Sequence, residues 1–65
     1  MKWEVRVTIN GRDILHSTHG DAFFATAVAK EIIAARQSYE QRGLDRLVIY
    51  PYESIERVEV VKIND

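Results

Sequence analysis

Two histidines, three residues apart, are the side chains in this chain best suited to metal chemistry. His16 and His19 have the i, i+3 spacing that lets two imidazoles on one helix share a metal ion. Here they fall at a predicted strand end and in a loop, and no third ligand is indicated, although Asp13 and Asp21 are near in sequence. We therefore interpret His16 as a residue at the edge of the core and His19 as solvent-exposed, and predict no metal site.

Ser54, flanked by Glu53 and Glu56, is the candidate nucleophile. The chain has no Gly-x-Ser-x-Gly elbow, and no histidine is predicted beside this serine. A serine that closely follows Pro51 is typical of a turn. A domain this small also offers little pocket and no matched acid–base pair. We predict no catalytic residue, no cofactor and no enzymatic activity.

The segment before the predicted helix is the candidate site for a small anion. Helix N-termini present free N–H groups that bind phosphate or carboxylate, and nearby histidines could add donors, although Asp21 opposes an anion. Two tyrosines beside Pro51 are not needed for the predicted core and suit either a stacked ligand or a protein contact. The candidate ligand-binding residues are His16, Thr18, His19, Tyr50 and Tyr52.

The elements that position these residues begin with a hairpin. Residues Lys2 to Asn10 alternate between apolar and polar, which indicates a strand with one buried face. Asn10-Gly11 favours a two-residue turn, because both residues tolerate positive φ, and the second strand then runs from Arg12 to Ser17. Such a turn predicts the cross-strand pairs Ile9–Arg12, Val7–Ile14, Val5–His16 and Trp3–Thr18, with Leu15 opposite Arg6 on the other face.

A long helix is predicted from Asp21 to Arg42. Thr18 to Asp21 fits a capping box, and Gly43 is the residue type favoured just past a helix end. On a helical wheel the predicted sheet-facing stripe is Phe24, Val28, Ile32, Ala35 and Tyr39. A second apolar arc consists of Phe23, Ala27 and Ala34, and Ile33 stands apart from both arcs. The predicted oligomer interface is this second arc together with Ile33. A helix that is apolar on further faces is buried on them, so this pattern predicts a partner.

Two more strands complete the predicted fold. Leu47 to Tyr50 is a short β-favouring run that Pro51 ends, and the next three residues read as a connection. Arg57 to Ile63 reads as the last strand, with Val58 and Val60 on one face and Val61 and Ile63 on the other. The sequence therefore predicts one α+β domain over residues 1–65, in the order ββαββ. Its helix would pack on one face of a small antiparallel sheet, most economically a four-stranded one.

Composition limits the classes of partner. A 65-residue chain without cysteine lacks disulfides and thiolate metal sites, so oligomerisation is the remaining aid to its stability. Nine basic and ten acidic residues leave no electrostatic footprint for nucleic acid or for an anionic membrane. No apolar run approaches the length of a signal peptide or membrane span, which predicts a cytoplasmic protein without a membrane partner.

The closing segment Leu47 to Val60 resembles the closing strands of many small uncharacterised bacterial and phage accessory proteins. In these, an "-I-P-Y-E-x-I-x-x-V-x-V-" segment follows a hairpin and a helix, whereas here Tyr50 stands before Pro51. The resemblance covers about a fifth of the chain and transfers no catalytic residue. Some phage proteins of this size block host defence by binding a defence protein or by sequestering a signalling nucleotide, and the resemblance implies such a role here.

Three functions remain open from the sequence. The first is a non-enzymatic homo-oligomeric interaction module that binds a protein partner, as in a phage or mobile-element accessory protein that modulates a host protein. The second is an oligomer that binds or sequesters a nucleotide-like anion. The third is nucleic-acid binding through Arg6, Arg46 and Arg57, which the near-zero net charge disfavours.

Overall fold

A computed structural model describes residues 2–64, and it confirms an α+β fold with one helix packed against an antiparallel sheet. The three-stranded sheet has the order β2-β1-β5, and β3 and β4 form a separate two-stranded hairpin. The elements in chain order are β1 (Lys2–Ile9), β2 (Arg12–His19), α1 (Ala22–Ala35), β3 (Tyr39–Arg42), β4 (Leu47–Tyr50), a 3-10 turn (Tyr52–Ser54) and β5 (Ile55–Ile63).

The turn between β1 and β2 is the predicted two-residue turn. Asn10 and Gly11 both have positive φ, at 52° and 78°, as such a turn requires. The predicted pairs of Ile9 with Arg12 and Val7 with Ile14 are confirmed, as is Leu15 opposite Arg6.

Beyond these pairs the predicted register is wrong, because β2 contains a bulge. The pairing shifts between Val5 and Arg6, so His16 has no partner on β1. Val5 then lies opposite Ser17, and Trp3 lies opposite His19, rather than opposite His16 and Thr18. One extra residue in a strand displaces every later pair by one position, and nothing in a regular two-residue turn predicts it.

The helix begins within one residue of the predicted start, at Ala22, but its capping residue is Asp21 rather than Thr18. Thr18 belongs to β2, and Asp21 is the N-cap residue: its Oδ1 accepts a hydrogen bond from the Phe24 backbone N–H at 2.7 Å. A carboxylate at this position satisfies a free N–H and suits the positive end of the helix dipole.

The helix also ends earlier than predicted. It stops at Ala35, and Arg36 takes a left-handed conformation with φ 52° as the C-cap. The predicted extension to Arg42 is wrong, because Tyr39–Arg42 forms β3 and pairs with β4. Gly43 lies in the turn of this hairpin, where its N–H donates to the Arg46 carbonyl at 2.8 Å. Residues 2–64 therefore form five strands in two sheets, rather than the predicted four strands in one sheet.

The core lies between α1 and one face of the sheet. Val5, Val7 and Ile9 are fully buried on β1, and the helix contributes two buried alanines, Ala25 and Ala29. Val5, Ala25 and Ala29 form one cluster, and five half-buried residues pack around it: Trp3, Val28, Ile32, Val58 and Val60.

The predicted sheet-facing stripe of the helix is therefore only partly right. Val28 and Ile32 do pack on the core, but Phe24 and Ala35 are exposed and Tyr39 lies outside the helix. Alanines at the centre of the contact let the helix backbone approach the sheet closely, which turns the larger side chains to its flanks.

The other face of the sheet carries charged side chains. Arg6 lies between two carboxylates on this face, with Nε 2.8 Å from Glu4 and Nη1 3.3 Å from Asp13. Arg57 and Glu59 form a further pair at 3.3 Å on β5. Within residues 2–64, no helix has the length and apolarity needed to cross a membrane.

Candidate binding groove and exposed apolar surfaces

A groove of about 460 Å³ runs along one side of the helix, between α1, β2, the start of β3 and the first residue of β5. Its helix wall is mostly apolar, and its polar groups come from Glu31, from the connection between α1 and β3, and from His16 and Tyr39. The lining residues that matter below are His16, Phe24, Val28, Glu31, Ile32 and Tyr39. The groove is thus a largely apolar surface with a few convergent polar groups, the usual composition of a binding site.

His16 and Tyr39 form the polar end of this groove. The His16 Nδ1 lies 2.9 Å from the Tyr39 hydroxyl, and the two rings are 5.6 Å apart at a tilt of 52°. The bulge in β2 places His16 on the helix side of the sheet, as predicted, but leaves it exposed rather than in the core.

The surroundings shift the pKa values of both groups. Partial burial lowers the pKa of His16 below its usual 6.5, and the neighbouring His19 adds to the effect. Partial burial likewise raises the pKa of Tyr39 above 10. Both shifts favour the neutral forms, so at pH 7 the pair offers a hydrogen-bond donor and acceptor without a net charge.

The other ligand-binding candidates near the helix start are directed elsewhere. His19 packs its ring on Phe24 with centroids 5.2 Å apart, and its Nε2 lies 2.8 Å from the Ser17 hydroxyl. Thr18 lies opposite Glu4, on the sheet face away from the helix. Thr18 therefore lies on a different face from His16 and His19.

The two tyrosines beside Pro51 also have separate positions. Tyr50 pairs with Tyr39 across the β3–β4 hairpin. Tyr52 donates its hydroxyl to the Ile33 carbonyl at 3.1 Å, and so ties the connection before β5 to the last turn of the helix. This bond satisfies one of the carbonyls that a helix end leaves without an internal partner.

The outer side of the helix, which we call the helix flank, carries the predicted oligomer interface: Phe23, Ala27, Ile33 and Ala34. Ala27 also lines the groove. All four residues are exposed; the Phe23 side chain is 87% exposed and that of Ile33 43%. Ile33 and Ala34 line a shallow depression beside Val58 of β5, and Phe23 and Ala27 line the next one along the helix. Lys30 borders both depressions, so the helix flank is one continuous surface that reaches β5.

The β3–β4 hairpin adds an apolar surface that the sequence analysis missed. Leu44 in its turn is fully exposed, and Leu47 and Ile49 are exposed on β4. The sequence predicts helix for residues 39–42, so β4 has no hairpin partner in the predicted fold and its exposed face is not recognised as part of a hairpin. The alternation of Tyr39 and Gln41 before Gly43 is the feature of the sequence that favours a strand followed by a turn here.

The remaining candidates for chemistry are dispersed. Ser54 lies in the 3-10 turn, where its backbone N–H donates to the Pro51 carbonyl at 2.9 Å. Across residues 2–64, no three His, Asp or Glu side chains are grouped so as to hold a metal ion.

Comparison with models of protein families, with curated proteins and with solved structures finds no match to this chain.

Proposed function

We propose that this protein is a non-enzymatic interaction module that self-associates through the helix flank and docks a protein partner on its remaining apolar surface. The observation that carries the proposal is the exposure of Phe23 beside Ala27 on the outside of the helix. Burying a phenylalanine side chain contributes about 1.5–3 kcal/mol, and contiguous exposed apolar surface marks interaction sites. Two copies gain this contribution from both helices.

The partner surface is the groove together with the exposed face of β4. The groove shares Ala27 with the helix flank, but its other lining residues lie apart from that surface, so a self-associated protein keeps most of the groove accessible. Tyrosine and other large side chains at such positions suit contact with a protein. The resemblance of residues 47–60 to small phage and bacterial accessory proteins supports a host protein as the partner, which this module would bind and modulate.

Light scattering at micromolar concentration tests self-association, with a mass of at least two chains expected for the wild type. Phe23→Glu is expected to give folded monomers, because a glutamate in the first helical turn is favoured by the dipole while it disrupts an apolar contact. Phe24→Glu is the matched control: it places the same charge in the same turn but on the groove side, and is expected to keep the wild-type mass. A wild-type monomer of 7.5 kDa would contradict the proposal.

A second candidate function is the binding of a small molecule in the groove, which its volume and its His16–Tyr39 pair support. The volume lies within the range of about 300–1,000 Å³ that is usual for ligand sites. Glu31 on the groove wall disfavours an anion there, although nucleotides and dinucleotides remain the ligands to screen. A rise in Tm with any of them that His16→Ala abolishes would favour this function over protein docking alone.

Nucleic-acid binding is less well supported. Arg6 and Arg57, two of the three candidate phosphate contacts, are each paired with a carboxylate of the same sheet face. A guanidinium that is already paired with a carboxylate attracts a phosphate less strongly, and affinity for nucleic acid depends on contacts with phosphates.

A further inference from the structure

The outer edge of β5 is the longest unpaired edge in the described part of the chain. β5 is a terminal strand of the three-stranded sheet, nine residues long, and β1 lies on its other side. Within residues 2–64 no strand pairs with that outer edge. Edge strands of this kind present a row of backbone N–H and C=O groups to any strand that can reach them, and proteins usually shorten, bend or cover them.

We propose that a second copy of this chain pairs its β5 with this edge, antiparallel and about a two-fold axis at Val58, to make a continuous six-stranded sheet. The proposal rests on the self-association proposed above and names the surface that directs it. Antiparallel pairing of identical strands is a closed, self-complementary contact, so association stops at two chains.

Charge complementarity selects the register. With the axis at Val58, Arg57 lies opposite Glu59 of the second copy, and the symmetry repeats this opposite-charge pair. An axis at Glu59 would place that residue opposite itself, and an axis at Arg57 would do the same for the arginine. Arg57 and Glu59 lie on the sheet face away from the helix and are already paired within one chain at 3.3 Å. The dimer would therefore hold four alternating charges in one cluster.

One other register also has an opposite-charge pair between the two copies, but the carboxylate of that pair already accepts a hydrogen bond within its own chain. An axis at Glu59 would also set Glu56 opposite Lys62 of the second copy. Glu56 already accepts a hydrogen bond from the Gly11 N–H at 2.8 Å, and it lies where the pairing of β5 with β1 shifts. The register about Val58 needs no such rearrangement.

The spacing of the sheet also brings together the part of each helix flank that reaches β5, at Ile33 and Ala34 beside Lys30. The helix packs mainly over β5 and β1. With strands about 4.8 Å apart, a helix axis above the gap between β1 and β5 lies about 5 Å from the dimer axis. The two helices are then about 10 Å apart, close to the distance at which packed helices contact each other. The depression that Ile33, Ala34 and Val58 line faces this contact.

Charge reversal tests the pairing by sedimentation. Arg57→Glu and Glu59→Arg, each alone, place like charges opposite each other twice, and each is expected to raise the dimer dissociation constant about tenfold or more. An equimolar mixture of the two variants is expected to recover wild-type affinity as a heterodimer. Mixing cannot restore the pair within either chain, so recovery reports contact between chains. No recovery on mixing would overturn the proposal.

Cysteine cross-linking tests the axis itself. The chain has no cysteine, so Val58→Cys places one thiol next to its symmetry mate. Facing residues of antiparallel strands have Cα atoms about 4.5–5.5 Å apart, within the range that a disulfide spans. Air oxidation is expected to give a covalent dimer of Val58→Cys. Lys62→Cys, on the same face but four residues from the axis, is the control and is expected to stay unlinked.

The outcomes separate this proposal from the function on which it rests. A wild-type dimer that Phe23→Glu dissociates, but that neither charge reversal nor cross-linking affects, would overturn β5 pairing and leave self-association intact. A wild-type monomer would overturn both. Circular dichroism of each variant establishes that any loss of mass is not a loss of fold.

Discussion

The two edges of the three-stranded sheet are built differently. On β2 the bulge at His16 interrupts the regular edge, and the β3–β4 hairpin lies beside it through the contact of His16 with Tyr39. β5 has its irregularity only where it begins, at the pairing of Ile55 with Ile9, and runs on without a bulge to Ile63. Bulges and covering elements prevent association at sheet edges, so β2 is protected where β5 is open.

In the proposed dimer the two sides of the molecule have separate roles. The β2 side has a groove with a neutral polar pair, which is suited to a partner of different chemistry. The β5 side has a regular edge, alternating charges and the helix flank, which are suited to a second copy. The proposed dimer would therefore direct self-association to the β5 edge and keep the β2 side free.

Removing the bulge would make the two sheet edges alike, and it is expected to have the largest effect on association. Deletion of His16 leaves Leu15 opposite Arg6 and Ser17 opposite Val5 while it makes the edge of β2 regular. The variant would then have two associating edges, and its mass by light scattering is expected to grow with concentration beyond two chains. His16→Gln, which keeps the extra residue, serves as control and should remain a dimer. A deletion variant that stays dimeric would contradict the protective role of the bulge.

Truncation in the central strand is expected to weaken both edges together. Ile9 is fully buried and is paired with β2 on one side and with β5 on the other. Ile9→Ala is expected to lower the free energy of unfolding by about 3 kcal/mol, as the removal of buried methyl groups leaves a cavity. Urea unfolding measures the loss. Leu15→Ala, on an exposed side chain of β2, is the comparison and should change the free energy of unfolding by less than about 0.5 kcal/mol.

The parts of the fold that could be predicted from the sequence are those set by neighbouring residues. Asn10 and Gly11 dictate their turn locally, and the alternation of β1 then places its apolar face on the core. The exposure of Phe23, Ala27 and Ala34 likewise follows from their shared arc on the helix.

The rest depends on contacts between distant residues. Tyr39 has helical spacing from Ala35 and also alternates with Gln41, and pairing with β4 decides between the two. The bulge at His16 is equally invisible, because both a bulged and a regular strand fit the same alternation. The groove combines these two features, so its His16–Tyr39 pair could not be predicted, although both residues could be named.

Loss of the helix cap is expected to have a smaller effect, and it distinguishes the observed capping residue from the predicted one. Asp21→Ala removes the hydrogen bond to the Phe24 N–H and is expected to cost about 1 kcal/mol of stability. Thr18→Ala should cost clearly less, because Thr18 is an exposed residue of β2 rather than the cap. Equal losses in urea unfolding would restore Thr18 as the capping residue.

The smallest expected effect is a pH dependence on the β2 side of the molecule. Burial lowers the pKa of His16 in the folded chain below 6.5, the usual value, which applies in the unfolded chain. Between the folded and unfolded pKa values, the unfolded chain therefore binds more protons than the folded chain. Stability is therefore complete above about pH 6.5 and decreases as the pH falls through that value. The neighbouring His19 also disfavours the charged imidazole and so adds to the decrease. Because His16 is exposed, the change should stay below about 1 kcal/mol. Urea unfolding at pH 7.5 and 5.5 measures it, and His16→Gln should lose less stability on acidification than the wild type. An equal loss in both proteins would assign the pH dependence to other groups.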